Sequence, residues 1–496
     1  RSRVRWEAAV VTSALTGQGL DGLRAAIARA AQELVERPAD DLFRLPIDRV
    51  FTVAGAGTVV TGSTWSGSVA VGESVRLLPT DREARVRSIE VHGRPAERAV
   101  PGRRTALALV GVEKAEIERG HVAVTGPGWR VTTAFDAMIE LLPEARRPLV
   151  ARTRVRVHLG TAEVLARVVL LGPLEPGSRD LGRLVLERPL VARGGDRFVI
   201  RSYSPVTTIG GGVVLDPFPP PRPARLRQRR LGPEQQPHER LLVWAEEAGL
   251  TGLRRADLPV RCGVRPEAVP GIVERAGKPL LAAEGALVAR SAAVAAVERL
   301  AGLVAAHHAQ HPLDPGMSLQ ALRAAVATPP QAVPPEVVDL VINLGVRKGA
   351  FEVEGGVARR PGWRPQLDGG AGDARAGIVR RLEQLKWQIP TLSELEREFA
   401  GAPVRALLAH LVREGGVEQI DQEHFASKRA LEEFRAALEG ALKEGGPQTP
   451  AQLRDRFGLT RKYLIPLLEW ADRRGITRRQ GDARTLARLT AGSGGA

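Results

Sequence analysis

The sequence predicts a multi-domain chain: the remnant of an α/β unit, then two β-barrels, then four mainly α winged-helix domains. Three observations carry that reading. At 496 residues the chain is too long for one hydrophobic core. Between Phe43 and Asp216 short β-rich runs follow one another, separated by Gly and Pro and by no helical pattern. Beyond the Pro-rich stretch 218–223 (FPPPRP), three helices and a Gly-containing strand pair recur about four times.

Residues 8–12 read as a short apolar strand, and 20–36 as a helix with Leu20, Leu23, Ile27, Ala30, Ala31 and Leu34 on one face, ended by Pro38. Strands are expected at 47–53, 57–63, 69–78, 85–92, 104–110 and 121–124 in one barrel. The second barrel takes 132–141, 153–159, 162–171, 182–191 and 197–202, and the junction falls near Gly126-Pro127-Gly128. Gly210-Gly211-Gly212 reads as a sharp strand-end turn, since no helix follows to make it a phosphate loop. Each later repeat has the size of a winged-helix domain, whose third helix and hairpin wing present side chains to nucleic acid. The expected boundaries are 1–40 for the α/β remnant, 41–126 and 127–217 for the barrels, and 218–233 for a Pro/Arg-rich linker. The winged helices follow at 234–290, 291–366, 367–425 and 426–490.

Composition narrows the function classes. Lys and Arg number 72 against 56 Asp and Glu, a formal charge of +16 that favours an anionic partner, with an Arg-rich codon bias as the plainer source. Cys262 is the single cysteine, which excludes an intrachain disulfide or a cysteine-based zinc site. His307-His308 reads as solvated helix surface, so no metal is expected. The seven tryptophans read as core or edge anchors. No apolar run reaches membrane-spanning length and no signal peptide opens the chain, so a cytoplasmic protein with no membrane partner is expected. The start without Met suggests truncation.

The densest charge lies near the end. Between Arg454 and Arg488 ten basic residues face four acidic ones, a surplus of six. Thr460 is placed to cap the third helix of the last repeat, which puts Arg461 and Lys462 in its first turn, where helix N–H groups already favour phosphate. Tyr463 offers a ring for stacking on an unpaired base. Arg473 and Arg474 close the helix, and Arg478, Arg479 and Arg484 flank the tight Gly481-Asp482 turn of the wing. These residues form the candidate RNA-binding set; a solvated basic surface is the plainer alternative. Ser13-Ala14-Leu15, after the first apolar run and before Gly17 and Gly19, matches a Ser-Ala-Lys/Leu loop that holds a guanine carbonyl through backbone N–H groups, or else is an ordinary strand-to-helix turn. No GxxxxGK[ST] loop and no Asn-Lys-x-Asp motif occurs in the sequence, so the chain alone is not expected to hydrolyse GTP.

The block IDRVFTVAGAGTVVTG (residues 47–62) resembles the start of the β-barrel second domain of translational GTPases, and its wording resembles the selenocysteine-specific elongation factors (SelB). The resemblance continues through GSVAVGESVRLL, GRRTALAL and DRFVIRSYSPVTTIGGGVVLDP to TRKYLIPLLEWADRRGITRRQGDARTL, which is similar to the terminal winged helix of the bacterial proteins. It implies that residues 1–40 end a GTPase domain and that the barrels are translation-factor domains II and III. GTP and Mg2+ would be cofactors of the intact protein, with none held well by this chain. The implied partners are selenocysteinyl-tRNA, the SECIS mRNA hairpin and the ribosome, and the protein would be a monomer. By motif, Asp48 and Arg49 of IDR and Arg104 of GRRTAL correspond to the selenocysteinyl pocket. A pair of guanidiniums there would select a selenolate over neutral serine, with Asp48 orienting an arginine; an ordinary Asp–Arg salt bridge is the plainer alternative. Two rival readings are a general elongation factor Tu type factor, which would not need the winged helices, and a winged-helix regulator of duplex DNA, which would not need the barrels.

Overall fold

Period-two alternation builds the first half of the chain, and helical periodicity the second. The computed structural model describes residues 9–33, 38–55, 57–221, 231–232, 234–327, 332–365 and 369–487. Two units divide the chain, one formed by 1–293 with 333–337, the other by 294–332 with 338–496.

In the first unit, helix α1 (Leu20–Gln32) has no buried residue. Residues 9–12 are not a strand, contrary to the sequence reading: Val11 is exposed and pairs with no strand among the described residues, while Ala8 of that expected strand and 34–36 of the expected helix lie outside them.

The first barrel follows. Its strands are β1 (Arg44–Val53), β2 (Gly57–Ser63), β3 (Val69–Ala70), β4 (Ser74–Leu78), β5 (Arg82–Val91), β6 (Arg94–Ala96), β7 (Arg98–Ala99), β8 (Arg104–Val110) and β9 (Val122–Val124). The order β4-β9-β1-β2-β8-β5 closes on itself through a β4–β5 pairing, with β6 added at β5. Phe43, Leu45, Ile47, Leu77 and Leu107 fill the interior. The second barrel comprises β10 (Val131–Leu141), β11 (Arg154–Leu159), β12 (Ala162–Leu170), β13 (Arg179–Val191), β14 (Arg197–Ser202) and β15 (Thr208–Asp216), closed in the order β10-β13-β12-β11-β14-β15. Along β11, Val155, Val157 and Leu159 are buried while Arg154, Arg156 and His158 are not, the pattern of a strand with one face inward. Closure removes the free edges that an open sheet would expose.

The three-glycine run corrects the sequence reading. Gly210, Gly211 and Gly212 lie within β15 and pair with both β10 and β14. A Cβ on Gly212 would sit 2.1 Å from the Met138 carbonyl oxygen and 2.7 Å from the Phe198 ring, so the neighbours leave room only for hydrogen there.

Buried arginines join the first unit's parts. Arg44, 2% exposed, lies between the Trp65 and Trp129 rings and donates to both Asp196 carboxylate oxygens at 2.8 Å. Arg193 returns the contact to Asp41 at 2.8 and 2.9 Å. Downstream, α2 (Pro237–Ala248), α3 (Leu258–Cys262) and α4 (Val269–Ala276) precede the hairpin β17 (Leu280–Ala282)–β18 (Ala286–Ala289), to which β16 (Leu253–Arg254) adds. Arg261 of α3 reaches back to Asp216 at 2.8 and 3.0 Å while lying over Trp244. Residues 222–230 and 233 of the expected linker lie outside the described residues.

The second unit repeats the same plan. The long α5 (Arg290–Gln310) leads to β19 (Met317–Ser318), α6 (Leu319–Val326), α7 (Pro335–Arg347) and the hairpin β20 (Glu352–Glu354)–β21 (Val357–Arg359). Next come α8 (Gly369–Leu385), α9 (Leu392–Glu398), α10 (Val404–Arg413) and β22 (Val417–Gln419)–β23 (Phe425–Ser427). The last set is α11 (Lys428–Gly445), α12 (Pro450–Phe457), α13 (Arg461–Arg473) and β24 (Thr477–Gln480)–β25 (Ala483–Leu486). The last two sets share one core: Ile389 and Ile420 pack in the same cluster as Leu431, Phe434, Leu464 and Leu467. The Trp387 indole N–H donates to the Ala430 carbonyl at 3.1 Å, and its ring meets Phe434 and Phe457 edge-on.

His308 also departs from the sequence reading. It is 2% exposed and stacked flat on Trp363 at 4.0 Å, because the helix turns this face inward. No helix among the described residues is long and apolar enough to cross a membrane, and no cluster there could hold a metal ion.

Candidate functional site

Asp48 owes its position to a β-bulge. Ile47 pairs with Gly62 and Arg49 with Thr61, so Asp48 is the extra residue and its side chain leaves the regular alternation. Arg104, at the start of β8, donates to it through both terminal nitrogens, at 2.6 Å to Oδ2 and 3.0 Å to Oδ1. The Thr61 hydroxyl adds a third bond to Oδ1 at 2.8 Å. Burial pushes the Asp48 carboxyl up, but the bonds from Arg104 and Thr61, with the charges of Arg104 and Arg49, hold it below the ordinary carboxylate range. Arg104 is raised in turn by its bond to Asp48. Arg49 is exposed and makes no side-chain hydrogen bond or ion pair among the described residues.

Beside this cluster lies an open cavity of about 200 Å³, lined by Thr61, Glu90, His92, Gly93, Arg104 and Thr105. Sequence reasoning missed Glu90 and His92. The signal available was the His92-Gly93 pair, which makes a two-residue hairpin turn with φ of 54° and 74° and so brings the end of β5 to the cavity wall.

Ser13-Ala14-Leu15 forms a closed turn: Gly17 N–H donates to the Ser13 carbonyl at 2.9 Å and Thr16 N–H to its hydroxyl at 3.2 Å. Leu15 is 97% exposed.

The basic set near the end divides into three groups. Arg461, Arg478 and Arg479 project outward from the helix tip and the wing. Arg461 and Arg478 have no side-chain partner among the described residues, and Arg479 has only the Gly481 carbonyl at 3.1 Å and a distant Asp482.

Lys462, Arg473 and Arg474 are instead held by the preceding winged-helix set. Lys462 Nζ lies 2.7 Å from Glu394 Oε1 at the start of α9. Arg473 donates to the Ile420 carbonyl, and Arg474 to Glu418, which also accepts the Trp470 indole N–H at 2.7 Å. Tyr463 is half-buried against the shared core, with the Lys462 ammonium 5.3 Å from its ring centre, so it is not the free stacking platform expected.

Arg484 forms the third group and corrects the expectation outright. Its side chain is 7% exposed and donates through Nε to Asp472 Oδ2 at 3.0 Å, while its backbone pairs with Gln448. It is the inward residue of β25 and pins the wing. Asp472 also accepts from Thr477 Oγ1 at 2.6 Å.

Thr460 is the residue before the first turn of α13, but its side chain accepts no capping bond, unlike Thr391 and Thr449 at the starts of α9 and α12. The Tyr463 N–H donates to the Thr460 carbonyl at 3.1 Å, which leaves the Arg461 and Lys462 N–H groups for an outside acceptor. Arg454 and Arg456 pair with Asp455 and Glu444. Arg488 lies outside the described residues.

Comparison with known families divides along these same elements. Residues 57–124 match the model for elongation factor Tu domain 2, and 136–221 that for the β-barrel domain of selenocysteine-specific elongation factor. Residues 302–359 and 440–486 match two models for winged helices of elongation factor SelB. The crystal structure of a bacterial selenocysteine-specific elongation factor, EF-Sec, has the same fold at a TM-score of 0.62 and 21% identity, over 96% of this chain and 74% of that one. The selenocysteine-specific elongation factor of Escherichia coli (strain K12) is 29% identical over 96% of this chain and 75% of its own length. That of Desulfomicrobium baculatum is 31% identical over 96% of this chain and 77% of its own length. With both barrels and two winged helices matched in order, and a relative 31% identical along 77% of its length, the chain belongs to the selenocysteine-specific elongation factor family.

Proposed function

We propose that this chain is the barrel and winged-helix part of a factor that delivers selenocysteinyl-tRNA to the ribosome at UGA codons, with the last winged helix holding the SECIS mRNA hairpin. The observation that carries it is the outward set of Arg461 at the uncapped start of α13 and Arg478 and Arg479 on the wing that follows that helix, charges suited to a folded RNA backbone. Asp48, Arg49 and Arg104 serve the other end of the task. Asp48, itself held by the Thr61 hydroxyl, fixes the Arg104 fork by two bonds, and Arg49 supplies the uncommitted charge for a selenolate. Holding the mRNA and the aminoacyl-tRNA on one chain raises the local concentration of the charged tRNA near the codon.

GTP and Mg2+ serve the family's GTPase step. Of the residues present, only the Ser13–Leu15 turn matches a nucleotide contact, and none matches a phosphate cradle or a Mg2+ site. The protein is read as a cytoplasmic monomer.

The test is an anisotropy titration of the chain against an RNA stem-loop with an extruded loop base and against duplex DNA of equal length. Preference for the stem-loop, lost in an R461A/R478A/R479A variant that keeps its melting temperature, supports the reading. Equal binding of duplex DNA favours the winged-helix regulator instead.

A further inference from the structure

The helix tip that faces the RNA carries its own internal counter-charge. We propose that Glu394 is a specificity-determining residue of the tail, a built-in substitute for phosphate that Lys462 must exchange for the backbone of a fitting RNA. This rests on the reading of α13 as the RNA-contacting helix.

The geometry makes Glu394 a fixed carboxylate rather than a wandering one. It is the third residue of α9 and completes a capping box with Thr391. Its Oε2 accepts the Thr391 N–H at 2.9 Å, which leaves Oε1 aimed at Lys462 Nζ, 2.7 Å away. Both partners belong to the second unit, and the shared core beneath them sets their separation. The pair is open to solvent, at 49% for the Lys462 side chain and 36% for Glu394, so it is exchangeable.

Exchange has a selective consequence. A loose polyanion that takes Lys462 gains one contact and loses another, and meets the released carboxylate. An RNA that also reaches Arg461 and Arg478 gains contacts that nothing among the described residues already fills. Glu394 thus weakens indiscriminate binding more than fitted binding, which is how a repulsive element produces specificity.

Glu394→Gln is the informative change, because glutamine also completes a capping box and removes only the charge. Two probes are titrated by anisotropy: a 20-nucleotide oligo(U) and an RNA stem-loop with an extruded loop base. Glu394→Gln should bind oligo(U) about threefold more tightly at low salt, the scale of one exposed ion pair, with a smaller gain for the stem-loop. The oligo(U) salt slope should steepen by about 0.7, one additional phosphate contact on a single strand. Adding Lys462→Met should erase both changes. Unchanged oligo(U) affinity and slope in Glu394→Gln, with Lys462→Met still weakening the stem-loop, overturns the role of Glu394 alone. Equal tightening of both probes also overturns it. Wild-type binding by Lys462→Met overturns this inference together with the assignment of Lys462 to the RNA contact.

Discussion

Arg44 and Asp196 are separated by 152 residues of chain, yet the guanidinium holds both carboxylate oxygens at 2.8 Å. Arg193 and Asp41 make the opposite exchange, so an acid and a base three residues apart on one barrel meet a base and an acid three apart on the other. Stacking on Trp65 and Trp129 encloses Arg44 further. Asp196→Asn leaves that buried cation without its counter-charge and should cost about 3–5 kcal/mol. A lowered urea midpoint of the first unit's transition checks this; an unchanged midpoint contradicts it.

Arg104→Ala should remove a half-exposed guanidinium from the candidate aminoacyl pocket and free Asp48 to repel an anion. Discrimination of selenocysteinyl- over seryl-tRNA should fall about tenfold, the scale of one charge-assisted hydrogen bond. Protection of the two aminoacyl esters from hydrolysis, measured with the chain joined to a GTPase domain, reads the ratio. Equal loss for both tRNAs counts against the pocket.

Arg484 and Arg478 should separate stability from binding. Arg484→Ala strands Asp472 beside the wing and should lower the stability of the last winged helix by about 2–3 kcal/mol. Arg478→Ala should leave the melting temperature within a degree or so and reduce the salt slope of hairpin binding by about one. The reverse pattern would place Arg484 on the RNA.

His308 should make the second unit acid-sensitive. Burial, then the neighbouring His307 and Arg360, holds its imidazole below the usual value. The unfolded chain therefore takes up the proton first as pH falls. The contribution of neutral His308 is complete above about pH 6.5 and is lost progressively below it, toward the lowered folded value. The denaturation midpoint should drop between about pH 7 and 5.5, and His308→Gln should flatten the profile.

The barrels were legible because alternation is local: Val155, Val157 and Leu159 announce an inward face without reference to any partner. The helical repeat was legible for the same reason. Long-range pairing was not. Nothing near Lys462 in sequence points to Glu394, 68 residues upstream, and nothing in ARTL says that its arginine is the inward residue. The glycine run misled because a strand crowded on both sides requires hydrogen where a turn would require a positive φ, and composition does not distinguish them.

The common core of the last two winged helices sets a limit on dissection. A fragment opening at Lys428 would strip Ile389, Trp387 and Ile420 from Leu464 and Phe434 and leave a greasy scar where packing had been. The smallest unit that keeps this core is therefore the pair, and Leu313, buried with Ile378 and Leu407, ties that pair in turn to the segment after α5.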